Sequence, residues 1–449
     1  MNAMRVGILG AGAMGLTAGY RLVQAGHEVV LIEKMELVGG LAAGFRVPSA
    51  SGDTWLERFY HHLFRSDRDI QALIGEIGLS DRLTWVKPTT SVLLQGRFHQ
   101  LDDPLSVLRF KPLPFVDRLR LGAAMAYLKL QRNHRVFERT TALRWIRTYM
   151  GPGVSRLIWE PLLRAKFHDF YDRVSMAWFW SRVFCRTGQL GYVRGGFQLV
   201  YERLAELIRD RGGVVRLGEE VRSIAAQPDG SIEVETDRGV ERFDQVLSTL
   251  PTRLFARLAR GLPESWLARH DWGDWLGAHC VILALDRPLL QDVYWLNVND
   301  PGYPFLALVD HANFMPAADY GGLHPVYLGN YLPMSSPRFQ QDDAEILAEF
   351  LPHLRRVNPA FDESWVKRSW VFKAPYAQPV VTLEYPSHIP GHTTPLPGVF
   401  MANMFQVYPQ DRGQNYSVRM ANEVAALMAR SPAPSSSTGS DRPAERSAP

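Results

Sequence analysis

Cysteine is nearly absent: Cys185 and Cys280 are the only two in 449 residues. Two thiols cannot build a disulfide framework or a four-ligand zinc site, and these two are not a C-x-x-C redox pair. No metal site is expected, and a reducing cytoplasm is the expected location. Long apolar runs are lacking too. The best, Cys280–Leu285, falls far short of the roughly 18 residues a membrane span needs. Met1–Arg5 leads straight into a strand pattern, which leaves no room for a signal peptide. Charge of one sign is scarce: 50 basic against 46 acidic groups give +4, too little to imply nucleic acid. No H-E-x-x-H, G-x-S-x-G or P-loop lysine occurs, which removes three common hydrolytic chemistries. Ser431–Pro449 holds six Ser and four Pro with no large apolar residue. It cannot bury enough surface to offset its ordering entropy and reads as a disordered tail.

What remains is ordinary for a chain with a large core, 46% hydrophobic and 21% charged. Helical and strand patterns alternate, which predicts an α/β fold. Val6–Leu9 and Glu28–Glu33 read as buried strands around a helix over Gly15–Ala25. Residues 67–190 read as mostly helical. Phe197–Arg211 has helical spacing and leads into a strand Val214–Leu217. Ser231–Thr236 and Val240–Phe243 form a predicted hairpin, and Gln245–Thr249 and Phe400–Ala402 are short strands. A last helix is expected over Ser417–Ala429.

Gly10-Ala11-Gly12-Ala13-Met14-Gly15 is a G-x-G-x-x-G. Alone it is a weak signal, since chance gives about 0.2 matches at this glycine content. Its context is strong: it follows an apolar strand, opens a helix, and an acid, Glu33, ends the next strand. Gly10 permits the tight turn, Gly12 lets backbone approach a pyrophosphate, and Gly15 lets the helix pack close. The helix N-terminus offers unpaired N–H groups to the phosphates. Glu33, followed by Lys34, would accept hydrogen bonds from the adenosine ribose.

Gly39-Gly40-Leu41 discriminates among dinucleotides. With it, the stretch Val6–Leu41 resembles the extended FAD signature of the flavin amine oxidase, protoporphyrinogen oxidase and phytoene desaturase superfamily. The resemblance implies that Gly40 and Leu41 lie along the FAD pyrophosphate. It continues through Arg194-Gly195-Gly196-Phe197 and Val221-Arg222-Ser223-Ile224, where the backbone of Val221 would face the adenine. Ser248–Pro251 and Gly398–Asn403 resemble the later motifs, with Asn403 in place of the family's aspartate near the ribityl chain. The implied fold is a Rossmann-like FAD-binding domain of discontinuous segments (1–62, 191–252 and 393–430). An α+β substrate domain would be formed by two insertions, 63–190 and 253–392.

No second G-x-G-x-x-G is present, so electrons would enter from an organic substrate rather than from a built-in NAD(P)H site. Aromatic clusters around Trp178–Phe184 and Tyr294–Tyr331 could wall a pocket or simply fill the core. Three groups of residues could reach the flavin. Glu57–His62 takes the place of the family's D-x-G-x-H turn, with Phe59 where the glycine stands and His61 as a candidate base. Lys373, in Trp370–Gln378, is a second catalytic candidate, with snorkelling to solvent as its plainer role. Gln406–Tyr416 contributes Asp411, Arg412 and Asn415 between the last strand and last helix, with Asp411 and Asn415 as cofactor candidates.

The expected activity is FAD-dependent removal of a hydride from a C–N or C–C bond of a small or apolar organic substrate. A rival is an isomerase resembling UDP-galactopyranose mutase, and another is a flavoprotein serving as a binding module. Residues 105–150 carry ten Lys or Arg against Asp117 and Glu138, interleaved with apolar residues. This is a solvated helical face or a peripheral contact with an anionic membrane. Nothing in the pattern selects an oligomeric state.

Overall fold

The computed structural model describes residues 3–49 and 52–431. The tail lies outside them, apart from Ser431.

Strand β1 (Arg5–Leu9), helix α1 (Ala13–Gln24) and strand β2 (Glu28–Ile32) form the first unit. Both strands are buried after their first residue, as expected for parallel strands covered on two faces. They sit in a five-stranded, all-parallel sheet ordered 214–216, β2, β1, 245–248, 399–401. Segments far apart in sequence therefore close one sheet. One face is covered by α1 with the helices Gln198–Arg209 and Gln414–Arg430. Across the other face, Leu9, Val30, Val246 and Met401 pack on Ile224, Ile232, Val234 and Phe255. The predicted hairpin lies there, as Ile232–Thr236 against Gly239–Phe243.

A second, seven-stranded sheet is ordered 366–379, 275–285, 324–333, 307–310, 295–298, 90–94, 97–100. Its strands pair antiparallel except 295–298 with 90–94. Period-two alternation gives it two apolar faces. Cys280, Ile282 and Tyr327 face the parallel-sheet unit, joined by Trp370 and Phe372. Val281, Leu283, Leu328 and Val371 face a separate core with Ile346 and Phe350. The region 67–190 is less helical than its sequence suggests. Thr90–Leu94 is a fully buried strand, and a short apolar run of that length has no periodicity to separate strand from helix. The helices Phe115–Leu130, Ala142–Tyr149, Glu160–Phe167 and Met176–Cys185 belong to the same region.

Candidate functional site

The glycine loop has a distinct constraint at each glycine. Gly10 has φ +104°, and a Cβ there would meet Thr249 Oγ1 at 2.4 Å. A Cβ on Gly15 would lie 1.9 Å from the Gly10 carbonyl oxygen, so only glycine lets α1 start so close to β1. Gly12 differs: a Cβ there would meet nothing nearer than Gly40 Cα at 3.9 Å. It would project into open space between two glycine turns. Those turns are tied by Gly39 N donating to Ala11 O at 2.8 Å. Gly12 is also the N-cap of α1, which has no side-chain cap and no acid in its first turn. The first-turn N–H groups of Ala13, Met14 and Gly15 are thus available for an anion. Glu33 is fixed at the edge of this cradle, accepting from Ala11 N at 2.9 Å and Met35 N at 3.0 Å. Lys34 is exposed beside it. Glu219 N donates to Glu33 O at 3.0 Å, bringing Val221 to the same edge. An uncapped helix start, a bare backbone at Gly12 and a placed carboxylate fit a dinucleotide.

Past Gly40 the chain meets a small apolar wall. Leu41, Phe59 and Tyr331, all half-buried, pack around Ala278, Ala374 and Ala377 of the large sheet. The turn carrying Phe59 is anchored by Glu57. Its carboxylate accepts from Phe197 N at 2.7 Å and Tyr192 OH at 2.8 Å, and burial raises its pKa to about 7. His61 Nδ1 sits 2.6 Å from Phe59 O, and burial lowers its pKa to about 4. His62, 3.4 Å from Tyr294 OH, is lowered to about 3 by burial and by Arg186. Both imidazoles are neutral near pH 7 and weak as bases.

Lys373 is not brought to this wall. On its strand Trp370, Phe372 and Ala374 face inward, so alternation turns Lys373 to the opposite face. There it pairs across the sheet with His279 and donates to Gln341 O and Phe339 O.

The turn after 399–401 divides between packing and site. Asn403 is buried, caps the turn through Phe405 N at 2.9 Å, and pairs with Thr252. Asn415 is buried too, and its Oδ1 accepts from Asp69 N and Ile70 N at 2.9 and 3.2 Å. It therefore caps the helix Arg68–Glu76. Asp411 instead anchors a polar cluster: Trp178 Nε1 donates to it at 3.1 Å, Gln378 Nε2 at 3.2 Å, and Arg182 also donates. Lys166 lies 3.5 Å away. Burial works against its ionisation, yet Lys166, Arg182 and Arg412 hold Asp411 well below the usual carboxylate range. Arg412 Nη2 donates to Tyr331 OH at 2.6 Å and its Nε to Ala377 O, joining the polar cluster to the apolar wall.

Lys166 and Arg182 escape a motif search, but helical spacing contains the signal. Lys166 follows buried Leu163 by three residues and precedes buried Phe167, which puts a lysine beside an apolar stripe. Trp178 and Arg182 lie four residues apart on one face of the helix Met176–Cys185, with Arg186 just past its end.

The sequence model of the "Flavin containing amine oxidoreductase" family matches residues 15–409. The chain belongs to that family. Its mixed α/β fold is of the amine oxidase type, and the family is a flavin-containing one, which supports FAD as cofactor. Among relatives of this flavin-containing amine oxidoreductase is 15-cis-phytoene desaturase of Capsicum annuum, 25% identical over 292 residues. That match covers 59% of this chain and 48% of the desaturase, so the chain spans about half the length of the curated relative. Its fold is similar to a putative protoporphyrinogen oxidase from Exiguobacterium at TM-score 0.75 and 19% identity. That likeness covers 95% of this chain and 99% of the other. Reduced UDP-galactopyranose mutase is similar at TM-score 0.71 and 15% identity, over 94% and 95% of the two chains.

Proposed function

We propose that this protein removes a hydride from a C–N or C–C bond of a small or apolar organic substrate held against the apolar wall of Leu41, Phe59 and Tyr331. The observation that supports the reading is that Gly40 borders the uncapped α1 cradle while Leu41, the next residue, packs against the apolar wall. When bound, FAD supplies the hydride acceptor. Gly10–Gly15, Gly40 and Leu41 would hold its pyrophosphate, Glu33 and Lys34 its ribose, and Val221 its adenine. Asn403 would act through backbone, because its side chain is used in the turn; Asn415 would act by fixing the start of the last helix. In this reading the parallel sheet is a Rossmann-like domain of segments 1–62, 191–252 and 393–430. The large sheet and the helices of 63–190 and 253–392 supply the substrate domain.

The protein's own residues position the donor carbon and exclude water. Apolar walls at Ala278, Ala374 and Phe59 do both. His61 is neutral and can accept a hydrogen bond, but it is too weak a base to drive deprotonation at neutral pH.

The test is anaerobic spectroscopy of the yellow holoprotein. Amines, polyenes or porphyrinogens are expected to bleach the oxidised flavin band. Sugar-nucleotide turnover appearing only after dithionite reduction, with no bleaching by any donor, would replace this reading with an isomerase.

We also propose that the helix Phe115–Leu130 and its neighbours rest on an anionic membrane surface. Exposed Phe115, Val116, Leu119, Tyr127 and Leu130 support this. Among the described residues no helix is long and apolar enough to cross a membrane.

A further inference from the structure

Asp411 is outnumbered. Lys166 Nζ and Arg412 Nη1 lie 3.5 and 3.9 Å from its oxygens, and Arg182 donates to it directly. No other carboxylate among the described residues is within ion-pair distance of these three cations. One negative charge therefore faces three positive ones. The donors are undersupplied as well. A lysine offers three N–H donors and a guanidinium five, yet Lys166 and Arg182 each find only Asp411 as acceptor among the described residues.

Water does not relieve all of this. Lys166 is nearly enclosed, its side chain 13% exposed, between the rings of Trp178 and Tyr331 at 5.0 and 5.1 Å. Arg182 keeps 43% of its side-chain surface, and Arg186, just past the end of its helix, is exposed as well. Arg182 lies within electrostatic range of half-buried Tyr60, His62 and Lys166 and of exposed Arg186. A low-dielectric site with surplus cations is costly unless a counter-charge arrives. Burial pushes the Lys166 ammonium well below its ordinary pKa, and the two arginines push it further against the pull of Asp411. The planar guanidinium fork matches two oxygens of a carboxylate or phosphate.

We propose that Lys166, Arg182 and Arg412 form the anchor for an anionic oxygen-bearing group, a carboxylate or a phosphate, at one end of the substrate. Asp411 holds the three cations in place, and the rest of the substrate lies along the apolar wall of Tyr331, Phe59 and Ala374. This rests on the proposed function for where the reacting carbon sits, though not for the anion site itself.

Calorimetric titration of the FAD-loaded protein tests it, with benzoate in one arm and pyrophosphate in the other, at constant ionic strength in chloride. One of the two is expected to bind in the micromolar to low-millimolar range, and which one identifies the headgroup chemistry. Arg182→Met and Lys166→Met are each expected to weaken that binding at least tenfold, with flavin content and melting temperature showing that each variant is folded. Binding of neither anion, or binding unchanged in both variants, overturns the anchor. Protein that stays colourless after FAD addition would instead count against the cofactor reading, and the titration heats would still report on the anion.

Discussion

Glu57 carries a carboxylate that the fold has taken out of water. Its two hydrogen-bond donors do not fully offset desolvation, so its folded pKa is raised to about 7 from an ordinary value near 4.5. A raised carboxylate pKa means the folded state binds the proton more tightly than the unfolded chain. Its contribution to stability is therefore complete below about pH 4.5 and is lost as pH rises through about 7. Glu57→Gln cannot ionise, and the Tyr192 hydroxyl can turn to accept from its amide. The variant should match the native protein near pH 5 and exceed it at pH 8 by a few kcal/mol, of the order of ~3. Melting curves across pH 5–8 check this, and parallel curves for the two proteins would refute it. Lys373 gives the opposite kind of prediction. It lies on the far face of the sheet and donates to two backbone carbonyls. Lys373→Met should cost about 1 kcal/mol of stability and leave the rate of flavin reduction by substrate unchanged. A tenfold fall in that rate, read by stopped flow, would return Lys373 to the site.

The β1–α1–β2 element separates two roles that a glycine motif merges. Gly15 has no space for a side chain, whereas Gly12 borders only the open cradle. Gly12→Ala should keep its melting temperature without cofactor, yet lose flavin occupancy at least tenfold. Gly15→Ala should lose both, since moving the Gly10 carbonyl costs roughly 3 kcal/mol or more. Absorbance ratios of the purified variants, with melts of the stripped proteins, decide between these outcomes. Equal loss of flavin and stability in the two would remove the distinction. This element was legible in the sequence because each constraint is local: a turn, a close helix start, an acid at a strand end. The turn carrying Asp411 was legible as polar and near the last helix, but its partners were not. Lys166, Trp178, Arg182 and Gln378 reach Asp411 from three separate elements, and such convergence has no spacing to detect. Asn415 shows the reverse limit. A buried polar residue in the expected place proved to cap the helix Arg68–Glu76, and position in a motif does not distinguish a ligand contact from a cap. Strand alternation around Lys373 was available from Trp370 and Phe372, but only once the inward face of that strand was known.

Across the whole molecule, charge and apolar exposure concentrate in the same place. The helix Phe115–Leu130 buries Leu121, Ala124 and Leu128. Its opposite face is also apolar: Val116, Leu119, Ala123, Tyr127 and Leu130 recur at spacings of three or four. Val116 is 67% and Leu130 80% exposed, and Leu105, Leu108, Val136 and Tyr149 of the same chain region are exposed as well. A helix with water on that side would carry charges there. Around it Arg109, Lys111, Arg132, Arg135, Arg139 and Arg144 are exposed and form no ion pair among the described residues. Unpaired cations beside an outward apolar stripe suit a surface that is both greasy and negative. The protein should therefore sediment with vesicles containing phosphatidylglycerol, several-fold more than with phosphatidylcholine alone, and less so at high salt. Val116→Asp with Leu119→Asp should abolish sedimentation while leaving flavin content intact, because neither side chain touches the core. Equal sedimentation of native and doubly substituted protein would show that this face meets something other than lipid.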